Sequence, residues 1–305
     1  MDRLVHGLMY AVSLLPLRVL YGISSLAAFV LHRIVRYRKD TVMENVAQAF
    51  PHQSLAYRKK VAAGFYRHFT DNWVETIKLL SMPEAAFKKR ITGNFEVFDE
   101  LHKNGKTTSI LAAHFFNWEW LSVALSHRQS LPYIGVYMPI SSQPVDSLFK
   151  RIRGRFGAHL MPAPALAKAI IGWRNKQYLI CLLADQSPSN PANAYWLNFL
   201  GRPTAFVTGP ERNAQVFNQV PVYTRVTCPK RGYYHFEFTV LSLTNEEMQT
   251  KGELTKRLVR HIEADIQTHP ETYLWSHRRW KHAWDASYQR LWIDDAAPAA
   301  VSTQD

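Results

Sequence analysis

The sequence predicts an α/β fold, a mixed central sheet flanked by helices, with an apolar helix ahead of it. Three observations carry this expectation. From about residue 96 onward, apolar runs of six to eight residues alternate with helical segments, the rhythm of strand-helix-strand units. Before them, two segments repeat apolar residues at helical spacing. Ahead of both, Leu4 to Val35 is mostly apolar.

The stretch Leu17 to Val35 is about the length needed to cross a bilayer core, although Pro16, Arg18 and His32 interrupt the apolar run around it. Arg33, Arg36, Arg38 and Lys39 follow at once. Positive charge just after an apolar helix keeps that side cytoplasmic and draws it to anionic headgroups. A cleaved signal peptide carries its basic residues on the other side. Residues 1–36 are therefore expected to be a membrane anchor that either crosses the bilayer or lies in its interface. Residues 37–95 form a helical lead-in. Asp40 to Phe50 and Ser54 to Leu80 are its helices, the second with a core-like stripe of Val61, Phe65, Phe69, Trp73, Ile77 and Leu80. Pro51 separates the two and Pro83 closes the second.

Within residues 96–290, strands are expected at Thr107 to Ala113, Tyr133 to Met138, Tyr178 to Ala184, Pro221 to Thr227 and Tyr234 to Leu241. Helices fit at Trp118 to Ser126, Val145 to Phe156, Pro164 to Trp173, Thr208 to Asn218 and Leu254 to Thr268. Pro229 to Gly232 is a tight connection, so the last two strands form a hairpin at one edge. Residues 291–305 read as a disordered tail.

At 305 residues, 47% of them hydrophobic, the chain can bury one sizeable core plus an appendage. Its net charge of +13 calls for an anionic partner, and nucleic acid, an anionic membrane face or an acidic substrate fit equally. Cys181 and Cys228 lie in apolar runs without a second ligand nearby and read as packed thiols in a reducing compartment. There is no P-loop, no dinucleotide glycine fingerprint and no metal-ligand spacing, so neither cofactor nor metal is expected.

The sharpest local feature is Ser109-Ile-Leu-Ala-Ala-His114-Phe-Phe-Asn-Trp-Glu119. A buried-looking strand delivers a histidine to its C-terminal end, where open α/β sheets bind ligands, and a carboxylate follows five residues on. In one continuous helix that step would turn the two side chains roughly 140° apart, but a strand-to-helix junction lets them meet. Glu119 is then expected to orient His114 while His114 takes a proton from a hydroxyl. With thirteen histidines the bare pattern arises about once by chance. The competing reading is a core histidine beside a solvated Glu119. No GxSxG elbow or reactive-cysteine setting accompanies the histidine, which points to direct attack by a substrate hydroxyl rather than a covalent acyl-enzyme.

The His114-x4-Glu119 element resembles the His-x4-acid motif of glycerolipid and lipid A acyltransferases. The order of further blocks looks like the late lipid A biosynthesis acyltransferases, of lauroyl and myristoyl type, in particular. These blocks are Asn45-x4-Phe50-Pro51, Arg153-Gly-Arg155-Phe-Gly157, Ala184-Asp185-Gln186, Phe199-Leu-Gly201-Arg-Pro203-Thr204 with Thr208-Gly209, and Trp275-x-His277-x-Arg279-Trp-Lys281. Several blocks in one order over nearly the whole chain are more specific than one short motif. The resemblance implies a glycerolipid-acyltransferase-like fold at the cytoplasmic face of the inner membrane, among its phospholipids. It implies acyl carrier protein as acyl donor and a hydroxyl of a lipid A precursor as acceptor. Ser187 to Ala194, polar and proline-bearing, departs from the expected glycine and apolar run, which leaves acceptor or chain-length choice open.

The resemblance also implies an arginine serving the site. Arg153 and Arg155 stand on a basic helix where it would lie, able to neutralise a lipid phosphate or charge developing at a thioester. A solvated basic face is the alternative. Asp185 and Gln186 close a strand near the same sheet edge as His114 and either position the acceptor or the loop, or serve as a helix cap or a turn. Asn117 either reaches into the site or caps the helix. The segment Trp275 to Trp284, aromatic and basic, would suit nucleic acid or a membrane-interface belt, and the apolar N-terminus favours the membrane. No nucleic acid is expected as partner. The rivals are a same-fold acyltransferase acting on another glycolipid, glycerolipid or aminolipid, and a non-enzymatic basic membrane-surface or nucleic-acid binder.

Overall fold

The structure, a computed structural model, describes residues 2–296 and 298. Helix α1 (Asp2–Leu14) ends before Pro16, which has no amide proton to continue the helix, and α2 (Leu17–Phe29) runs on through a π-turn at Val30–Ile34. Leu17–Ile34 is one helix long and apolar enough to cross a membrane, with 17% of that stretch buried. Val19, Ile23, Leu26 and Phe29 are exposed on it.

Helix α3 (Lys39–Ala49) leads to α4 (Leu55–Lys78), which is capped by the Ser54 hydroxyl accepting from the Tyr57 amide at 3.2 Å. The first half of α4 buries Val61, Ala62, Phe65 and Tyr66, as its apolar stripe predicts. The second half does not. There Asp71, Asn72, Glu75 and Thr76 face inward, while Trp73 of the expected core stripe is exposed.

The α/β part begins with α5 (Glu84–Lys88), β1 (Ile91–Gly93), α6 (Glu96–Lys103) and β2 (Thr108–Ala112). Then come α7 (Trp118–Arg128), β3 (Tyr133–Tyr137), α8 (Gln143–Arg153), β4 (His159–Pro162), α9 (Leu166–Ala169) and β5 (Leu179–Leu183). A separate antiparallel pair, β6 (Ala194–Phe199) and β7 (Arg202–Val207), turns at Leu200 and Gly201, both at positive φ. The chain closes with α10 (Gly209–Val216), β8 (Val220–Lys230), β9 (Tyr233–Val240), α11 (Asn245–Gln249) and α12 (Glu253–Thr268).

Seven strands form the central sheet in the order β1-β9-β8-β2-β5-β3-β4, and β8 with β9 is its antiparallel pair. The sheet is therefore mixed but mostly parallel, as the strand-helix rhythm predicts. The hairpin is not at the edge, however: β1, a three-residue strand too short to announce itself, pairs with the far side of β9. The expected helix Pro164 to Trp173 is broken into a short α9 between two 3₁₀ turns, under Pro162 and Pro164 at its start. Part of the segment read as a tail is tied down. The Ile293 amide donates to the Trp196 carbonyl at 2.9 Å and Asp294 pairs with Arg260 at 2.9 Å. The rest of the expected tail, residue 297 and residues 299–305, lies outside the described residues.

The lead-in is bound to the far end of the chain. Asn45, buried in α3, donates its amide to the carbonyls of Trp275 and His277, both at 2.7 Å, and Arg38 donates to the Ser276 carbonyl at 2.9 Å. Asn45→Ala strands two carbonyls in a closed interior, so it should cost about 1–3 kcal/mol. A thermal melt of the detergent-solubilised variant, lower than wild type by several degrees, is the expected reading.

Candidate active site

The sheet brings together two residues that lie 71 positions apart. Strands β2 and β5 run parallel with Ala112 opposite Leu183. His114 and Asp185, each two residues beyond that pair, leave the sheet side by side at the C-terminal edge. His114 Nδ1 lies 2.7 Å from Asp185 Oδ1. Burial of Asp185 by itself raises its pKa, but the His114 ring and the backbone amides of His114 and Asp185 outweigh burial and leave the carboxyl below its usual range. An ionised carboxylate only accepts, so in the neutral ring Nδ1 carries the proton and Nε2 the lone pair. The Gln186 amide nitrogen stands 3.3 Å from that Nε2.

Helix α7 starts immediately afterwards. Asn117 is its N-cap: the side-chain oxygen accepts from the amides of Glu119 and Trp120, both at 3.1 Å. Glu119, 3% exposed, is held in a fork by Arg153 from the end of α8, with Nε to Oε2 at 2.8 Å and Nη2 to Oε1 at 2.5 Å. The indole of Trp118 donates to Glu119 Oε1 at 3.2 Å and stands edge-on to His114, centroids 5.1 Å apart. The expected orienting bond from Glu119 to His114 is therefore replaced: Asp185 orients the histidine, and Glu119 holds the arginine. The strand-to-helix junction turns Glu119 toward α8 because Asn117 fixes the first turn of α7.

Arg155 is elsewhere. Gly154 ends α8, and the Arg155 guanidinium donates to the carbonyls of Leu79 and Met82 just past α4. The reading of Arg155 as a substrate ligand gives way to a clamp between two helices. In the aromatic and basic segment Trp275 and Arg279 are buried, while Arg278 and Lys281 are exposed and Trp280, His282 and Trp284 are half-buried.

That segment forms the wall behind the histidine. Phe115 bridges to Tyr273, and the Phe116 amide donates to the Thr272 carbonyl at 3.1 Å. His277 Nε2 accepts from the Ser187 amide at 3.0 Å, which ties the loop after Gln186 in place. Arg279 lies over the Phe206 ring at 4.0 Å and donates to the Ala205 carbonyl at 2.9 Å. Its Nε and Nη2 have no partner among the described residues. The sequence offered one signal for these residues, the block Trp275-x-His277-x-Arg279, without saying where it packs. Among the described residues, no group of three His, Cys, Asp or Glu side chains is placed to hold a metal ion.

Burial pushes His277 down to about 4 from its ordinary 6.5, with Asp185 opposing and Arg279 adding to the shift. A group kept neutral in the fold contributes stability that is present above pH 6.5 and lost as pH falls toward about 4. His277→Gln should flatten the fall in melting temperature between pH 6.5 and 4, read by thermal melts across that range.

No curated protein matched the chain in a sequence comparison. The family described as bacterial lipid A biosynthesis acyltransferase matches residues 1–282, from the N-terminal helices through the wall behind His114. With that match over most of its length, the chain belongs to the bacterial lipid A biosynthesis acyltransferase family.

Proposed function

We propose that this acyltransferase moves a fatty acyl chain from the thioester of acyl carrier protein to a hydroxyl of a lipid A precursor, with His114 as general base and no covalent acyl-enzyme. The observation that carries the mechanism is the His114–Asp185 pair: Nδ1 is committed to a buried carboxylate at 2.7 Å, so Nε2 is the basic atom. The acceptor hydroxyl displaces the Gln186 amide from Nε2, its oxygen attacks the thioester carbon, and its proton moves to Nε2. The C–S bond then breaks, and the imidazolium returns that proton to the leaving thiolate.

Arg153 is proposed to face the thioester oxygen. Two of its five N–H groups are given to Glu119, which leaves three donors in a fixed plane for an oxyanion or a lipid phosphate. Glu119 thus acts on the reaction by holding that plane. Helix Leu17–Ile34, apolar and largely exposed, supports anchorage in the inner membrane with the basic residues Arg33, Arg36 and Lys39 at the cytoplasmic face.

The test is transfer of a labelled acyl group from acyl carrier protein to a tetra-acylated or penta-acylated lipid A precursor. His114→Ala should lower kcat by about 10²–10⁴-fold while the protein stays folded. Asp185→Asn should lower it by about 10²-fold or more, because an amide donating to Nδ1 moves the proton to Nε2 and removes the base. A folded His114→Ala protein that acylates at the wild-type rate would sink the mechanism. Failure of Asp185→Asn to slow transfer would return the orienting role to Glu119.

A further inference from the structure

Glu75 has no exposed surface, and the donors around it come from three different parts of the fold. Its Oε1 accepts from the Tyr21 hydroxyl of α2 at 2.8 Å. Its Oε2 accepts from the Tyr234 hydroxyl of β9 at 2.6 Å and from the Asn117 side-chain amide at 3.1 Å. Its backbone carbonyl accepts from the Trp120 indole at 3.2 Å. Two of these four contacts fall on the first turn of α7, and one falls on the apolar N-terminal helix.

The same helix is seated on α4 and the β8–β9 turn by the buried Leu20 and by a set of polar groups. Ser24 donates to Asp71 at 2.5 Å, and Asp71 is gripped by Arg231 of the turn at 2.5 Å and 2.8 Å. Gly232, at positive φ, lets the turn close: a Cβ there would lie 2.1 Å from the Tyr21 hydroxyl oxygen. The outward face of α2 is apolar, so a lipid surface that takes up Val19, Ile23 and Leu26 also sets where Tyr21 stands.

We infer that Glu75 is a positioning residue through which the seating of α2 fixes Asn117, and through Asn117 the Glu119–Arg153 pair. Asn117 has both ends engaged, its oxygen on the Glu119 and Trp120 amides and its nitrogen on Glu75, so a shift of the Glu75 carboxylate is passed to the amide that carries Glu119. Burial pushes Glu75 up to about 7, and the hydrogen bonds from Tyr234, Tyr21 and Asn117 pull the other way. Nothing else in the site requires a carboxylate at this position, since the histidine already has Asp185.

The inference rests on the acyl-transfer reading, and the assay described above separates the two. Glu75→Gln keeps the shape of the side chain but offers one acceptor oxygen where three donors converge. It should lower kcat by about 10-fold and leave KM for the acyl carrier thioester within about 2-fold, the signature of a lost transition-state geometry rather than lost binding. Tyr21→Phe should lower kcat by about 3-fold, and the double variant should be no slower than Glu75→Gln alone, because both act through one contact. A folded Glu75→Gln enzyme with wild-type kcat overturns the inference, as do effects that multiply in the double variant. Should Glu75→Gln not fold, Tyr21→Phe decides alone: reduced kcat at unchanged KM supports the coupling, and wild-type kcat refutes it. A folded wild-type protein without transfer would remove the acyl-transfer reading and this inference with it.

Discussion

The parallel register of β2 against β5 is the constraint on which the site depends. Pairing Ala112 with Leu183 fixes the height at which His114 and Asp185 leave the sheet, about one strand spacing apart. A slip of one residue would turn one of the two side chains to the opposite face. Both strands are buried, Ile110 and Leu111 beside Ile180, Cys181 and Leu182, so the register is held by packing on both faces and by the edge contacts of β8 and β3. The geometry at the edge inherits that rigidity, and in a closed interior the Asp185 carboxyl is held below its usual range first by the His114 ring and then by the backbone amides of His114 and Asp185.

What holds the appendage to the domain is of a different kind. The apolar helix α2 meets α4 and the β8–β9 turn through the buried Leu20 and through Tyr21, Ser24, Asp71, Glu75 and Arg231, a polar seam under an apolar outer face. A helix meant to stand free in lipid has no reason to present a serine and a tyrosine hydroxyl to buried carboxylates, since unpaired they cost several kcal/mol in hydrocarbon. The seam satisfies them against the domain, which orients the exposed leucine, isoleucine and valine side chains outward. It also brings Tyr21, through Glu75, to the first turn of α7, more than ninety residues later.

The sequence exposed the fold where a local period was long and strong. The five principal strands, helices α4, α7, α8, α10 and α12 and the hairpin at Arg231 and Gly232 are visible as apolar runs and turn residues, whereas α6 and the β6–β7 pair are not among the elements that the sequence predicts. Strands β1 and β4, three and four residues long, carry no such period and are strands only because β9 and β3 offer them an edge. Within α4 the apolar stripe leads past Trp73, yet the interior face rotates onto Asp71 and Glu75, because their partners come from α2, β9 and the hairpin turn. Hydrophobic patterning has no term for a buried polar face. The histidine and its motif acid were likewise legible, but the partner of each was not: Asp185 is fixed by strand register and Arg153 by the crossing of α7 and α8.

The distribution of partners at the site explains why the motif needs both a short and a long spacing. With Asp185 on Nδ1, His114 already has its carboxylate partner, and a second carboxylate on the ring would occupy Nε2, the nitrogen that the proposed mechanism needs. Glu119 is instead turned onto a guanidinium whose side chain is four-fifths buried, where a lone cation would be expensive. The fork fixes the plane of that guanidinium, which a lysine could not do, since an ammonium offers three donors on a freely rotating end. Five residues are the distance from a strand end, through a capped helix start, to the first side chain that can reach α8 while leaving the histidine at the sheet edge. The motif is thus two positions on one junction held by two different partners, Asp185 beyond β5 for the histidine and Arg153 at the end of α8 for the glutamate.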